Sequence, residues 1–142
     1  MSTERWRQAA YELLPTFRHR IGRAEGVGAL WIELWDCEVE GARDEPLGGE
    51  EMSGLFRYAS WCLLSGDEEA QDAAIVDFYE KLPTNVGIRR DLHRHMSVED
   101  FLGLKGIFGY HLSEEGHMEF VEEFLAEARR VQPARSRPAG EA

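Results

Sequence analysis

The chain has 142 residues and a formal net charge of −11, with 43% hydrophobic residues, 11% aromatics and two cysteines. That length fits one domain of ordinary size, and the apolar content allows a core that needs neither metal nor disulfide staples. Composition argues against disorder of the bulk. No apolar run approaches the ~20 residues a membrane-spanning helix requires.

The acidity is concentrated. Between Glu25 and Leu82 there are fifteen Asp or Glu against three bases, Arg43, Arg57 and Lys81, a net of −12, while the rest of the chain sums to +1. A field of that sign repels nucleic acid and anionic membrane surfaces. It suits a basic protein partner, whose approach it accelerates. The first ten residues, MSTERWRQAA, lack the apolar stretch of a signal peptide, so a cytoplasmic address is expected. Cys37 and Cys62 fit no metal or redox spacing and read as small core hydrophobes.

Helix signals run the length of the chain, with no convincing strand. Ser2 or Thr3 can cap a first helix in which Trp6, Ala10, Leu13, Leu14, Phe17 and Ile21 recur at helical spacing, and Pro15 kinks it or starts a second short one. From Val27 to Ala42, a helix is expected to bury Val27, Leu30, Trp31, Leu34, Cys37 and Gly41 and to present Glu33, Asp36 and Glu40 on its opposite face. Glu38 falls among the apolar positions and is expected to be partly buried. Asp44 to Gly49 reads as a loop.

Glu50 to Leu64 is apolar almost all round, as a central helix would be, with Trp61 opposite its main stripe. Asp67 caps the next helix, Glu68 to Leu82, and Pro83 stops it. A short helix follows over Val86 to His95. Ser97 opens a helix with a capping-box pattern, in which Gly103, Gly106 and Gly109 suggest close approach by another helix. Ser113 caps the last helix, whose stripe is Met118, Val121, Phe124, Leu125 and Ala128, and residues 133–142 read as a disordered tail. The expected fold is all-α: a single domain over residues 1–132, built as a compact antiparallel bundle or helical-hairpin array of six to seven helices.

Catalytic patterns are missing. His93 and His95 are two residues apart, and His111 and His117 belong to different helices, so no helical metal pair forms. There is no nucleophile elbow, activated thiolate or phosphate-cradling loop. No cofactor or metal is expected. Glu38, Glu80 and His111 are the residues around which an unfamiliar enzyme would have to be built.

The run Tyr58-Ala59-Ser60-Trp61-Cys62-Leu63, the run Asp77-Phe78-Tyr79-Glu80-Lys81-Leu82-Pro83, and Glu99-Asp100-Phe101 with Leu104-Lys105 and Tyr110-His111-Leu112 resemble an uncharacterised family of small bacterial all-helical proteins. The resemblance spans Leu30 to Leu125 and carries no activity onto individual residues. In style the chain is also similar to immunity proteins, which cover the basic active-site surface of a toxin.

The leading expectation is a non-catalytic protein-binding module, specifically an immunity-like or antitoxin-like inhibitor of a basic toxin. Its contact face would hold Glu33, Asp36, Glu40 and Asp44, with Trp35 and Trp61 as exposed anchors. The second expectation is a structural or accessory subunit that forms a homodimer through the glycine-spaced helix.

Overall fold

Pro15 ends the first helix where its ring disfavours α geometry in the preceding residue: Leu14 leaves the helix at φ −127°, ψ 58°. In the computed structural model, which describes residues 4–41 and 47–131, α1 is therefore Arg5–Leu13, followed by a 3₁₀ turn over Pro15–Phe17 and α2 over Arg18–Arg23. The chain is all-α, with no strand among the described residues. It divides into two compact units, Met1–Lys81 and Leu82–Ala142.

In the first unit α3 (Val27–Glu33) runs into a π-helical segment, Leu34–Val39, and α4 (Gly49–Leu64) and α5 (Glu68–Asp77) complete the set. α4 packs on α1 and α5, and α3 packs on α5. Gly54 makes the first of these contacts: a Cβ there would lie 2.8 Å from the Leu13 carbonyl oxygen, so the end of α1 rests directly on α4's backbone. Gly66, at φ 79°, supplies the left-handed turn after α4. Asp67 then caps α5, accepting from the Glu69 and Ala70 amides at 2.9 and 3.3 Å.

Phe78 is the hub of the core. Its ring centroid lies 4.9 Å from Trp31, 5.0 Å from Phe56 and 5.4 Å from Tyr79, separations at which aromatic pairs add attraction beyond area burial. Trp31 also stacks on Tyr58 at 5.4 Å, and the buried Tyr58 hydroxyl donates to the Trp6 carbonyl at 2.8 Å. Arg7 donates to the carbonyls of Ile21, Gly22 and Ala24, satisfying groups that α2's C-terminus leaves open.

The second unit holds α6 (Val86–Asp91), a 3₁₀ turn (Leu92–Arg94), α7 (Val98–Gly103), α8 (Lys105–Phe108) and α9 (Glu114–Val131). Ser97 and Ser113 cap α7 and α9 through the Asp100 and Gly116 amides, at 3.1 and 3.0 Å. The expected single helix after Ser97 breaks at Leu104, and with the break at Pro15 this gives nine α-helical segments among the described residues where six or seven were expected.

Phe101 stacks on Phe124 at 3.8 Å and lies 5.1 Å from Phe108 and 5.5 Å from Phe120. Phe120, not Met118, faces inward on α9, and Met118 is 60% exposed. The buried positions Phe120, Phe124 and Ala128 recur every four residues, a row that Met118 does not join. Tyr110, beyond the end of α8, is exposed.

The close approach expected at three glycines occurs at one of them. A Cβ on Gly109 would meet the His117 ring at 3.0 Å, while space is open over Gly103 and Gly106 among the described residues. His117 fixes this corner by a 2.8 Å hydrogen bond between Nε2 and the Lys105 carbonyl. No described helix is long and apolar enough to cross a membrane. The residues expected as a disordered tail lie outside the described residues.

Candidate functional site

The π-helical segment reorganises the face on which the acidic surface was expected. The Glu40 amide donates to the Trp35 carbonyl at 2.8 Å, a five-residue return. Each such turn takes in an extra residue, so positions beyond it fall behind the α-helical register. Leu34 and Trp35 both stay inside, Trp35 at 2% exposure. Cys37, expected on the buried face, is turned to solvent.

Trp35 is therefore a core residue and not an exposed anchor. Its ring meets Phe78 edge-on at 6.1 Å, and the Lys81 ammonium lies 5.9 Å from its centroid. Trp61 is half-buried, stacked on Tyr58 at 6.1 Å, with the Arg5 guanidinium 5.8 Å from its ring.

The carboxylates of this face separate into two groups. Glu33 and Glu38 share Arg20, with Glu33 at 3.0 Å, and Glu33 also lies 3.7 Å from Arg23. Both carboxylates are half-buried, as was expected for Glu38. Their charge is spent on tying the π-helical region to α2. Asp36 and Glu40 are exposed and form no ion pair among the described residues. The same holds for Glu68, Glu69 and Asp72 on α5. Asp44 lies outside the described residues.

The residues considered for catalysis are dispersed in character. Glu80 is buried at 8% exposure, Glu38 is held by Arg20, and His111 is exposed in the second unit. No group of three or more His, Cys, Asp or Glu is arranged to hold a metal ion among the described residues. Cys37 and Cys62 are both free thiols. Burial pushes the Cys62 thiol up to about 11 and raises the Tyr58 hydroxyl well above its ordinary value. Burial in the second unit holds the His95 imidazole below its ordinary value, against the pull of Asp91, with Arg94 and His93 adding to the lowering.

Sequence reasoning missed a concave feature of the first unit. Between the end of α1, the Pro15–Phe17 turn and the start of α4 lies a cleft of about 390 Å³, lined by residues 12–17 together with Glu50, Glu51 and Arg57. Its signal was present as Pro15 and Gly54, the residues that end α1 and bring it onto α4. Neither belongs to a recognisable site motif. No family model, no curated protein and no solved structure matches the chain.

Proposed function

We propose that the chain is a non-catalytic protein-binding module whose acidic first unit docks a basic protein partner, in the manner of an immunity-like or antitoxin-like inhibitor. The observation that carries this reading is a group of exposed first-unit carboxylates on the π-helical segment, the residue after it and α5 that form no ion pair among the described residues: Asp36, Glu40, Glu68, Glu69 and Asp72. Unpaired surface carboxylates retain their full field and steer a cation, whereas Glu33 and Glu38 are already neutralised by arginines of the same unit. The contact face is accordingly centred on Asp36 and Glu40, without Trp35.

The test is charge reversal. Asp36→Lys with Glu40→Lys should slow association with the partner, recovered by affinity capture from the source cells, by about tenfold or more at low salt, the lower end of electrostatic steering. The salt dependence of the rate should flatten with it. Equal rates and equal salt dependence in variant and parent would remove this face from the reading.

A further inference from the structure

An inhibitor surface without a protruding aromatic anchor can still provide specificity if it is the receiving side. The cleft of about 390 Å³ at the end of α1 has the form of a receiver. Its floor is apolar: Leu14 and Phe17 are buried, and Pro15 contributes its ring. Its rim is charged, with Glu12 from α1 and Glu50 from the first turn of α4, both exposed.

Glu51 also lines the cleft, but its Oε1 accepts the Gly48 amide at 3.1 Å and so closes the cap of α4. Arg57 stands on the same rim and forms no ion pair with these glutamates among the described residues. With three carboxylates against one guanidinium the rim is net negative. An apolar floor beneath an anionic rim matches a side chain with an aliphatic stem and a cationic head.

We infer that this cleft receives one long cationic side chain, arginine or lysine, presented by a basic protein partner. The inference rests on the reading of the acidic unit as a docking surface, and it names a place on that unit where one residue of the partner inserts. In this arrangement the partner supplies the knob and the chain supplies the hole, with the stem against Leu14, Pro15 and Phe17 and the head between Glu12 and Glu50. The local fold makes the hole: Pro15 turns the chain away from α1's axis, and Gly54 lets the end of α1 sit low on α4.

The test uses the full chain, labelled with ¹⁵N, titrated with Nα-acetyl-arginine-N-methylamide and, separately, with the neutral, near-isosteric citrulline analogue. Saturable shifts should concentrate on the amides of Leu13, Leu14, Thr16 and Phe17 and of Glu50–Arg57 with the arginine probe and not with citrulline. Glu12→Gln with Glu50→Gln, both at exposed positions, should weaken probe binding by about fivefold, and Arg57→Gln should strengthen it by about twofold. Opposite signs from the two substitutions are the signature of a cationic guest.

Shifts spread over Asp36, Glu40 and the start of α5 without saturation would overturn the cleft assignment, as would equal binding of citrulline. Failure here, with the Asp36 and Glu40 reversal still slowing the partner, removes the cleft alone. Specific filling of the cleft, with no effect of that reversal, supports the cleft and removes the wider face.

Discussion

The two units are both helical, yet they differ in what they bury and in what they show to solvent. The first unit encloses a mixed aromatic core in which Trp31, Tyr58 and Phe78 meet, with the hydroxyl of Tyr58 and the thiol of Cys62 inside it. The second is organised around four phenylalanines, Phe101, Phe108, Phe120 and Phe124. The first carries seventeen acids against eight bases, a net of −9, and the second ten against eight, a net of −2. Surface charge and core chemistry are thus set independently in the two parts. A functional argument from charge belongs to the first alone.

The largest expected effect tests whether each aromatic cluster carries its own unit. Phe78→Ala and Phe101→Ala should each cost about 3–5 kcal/mol, the range for emptying a buried phenylalanine site. Amide hydrogen exchange should show protection falling most within Met1–Lys81 for the first variant and within Leu82–Val131 for the second. Equal loss in both regions from either variant would break the comparison.

A smaller effect comes from pH, with opposite signs in the two units. Cys62 and Tyr58 have folded-state values raised by burial, Cys62 to about 11. The stability they contribute is complete below their unfolded values and is lost as pH rises through the folded ones. His95 has its folded value lowered by burial, so its contribution is present above about 6.5, the unfolded value, and is lost as pH falls below it. Alkali between about pH 9 and 11 should therefore loosen the first unit, and Cys62→Ala should reduce that sensitivity. Mild acid, between about pH 6.5 and 5, should act on exchange around His95, above the range in which most carboxylates titrate.

Much of the fold was legible in the sequence because its signals are local. The caps at Asp67, Ser97 and Ser113 act within three residues of themselves, and the break at Pro15 follows from ring geometry. What escaped was a change of period. A single α-helical register assigns Cys37 inward and Trp35 to an edge, and the π-helical segment reverses both. No residue type announces such a widening.

Glycine was misread for a related reason: its spacing says where a close approach is allowed, not where one occurs. Gly103 and Gly106 are open among the described residues, whereas Gly54, unremarked in an apolar helix, is where the Leu13 carbonyl comes within 2.8 Å of the place a Cβ would take. The candidate surface was legible as a charged segment but not as a set of residues. Whether Glu33 remains available depends on Arg20 and Arg23, which reach it from another helix and form no ion pair with Asp36 among the described residues.

The central claim, that docking belongs to the acidic surface of the first unit, is most directly tested by paired charge reversals in the two units. One variant carries Asp36→Lys and Glu40→Lys, and the other carries Glu119→Lys and Glu122→Lys, exposed carboxylates of α9. Both change the net charge equally, so a rate set by total charge would respond alike. We predict that association with the partner slows by about tenfold in the first variant and stays within about twofold of the parent in the second. Equal slowing in both would contradict the account and reduce the acidity to a property of the whole chain.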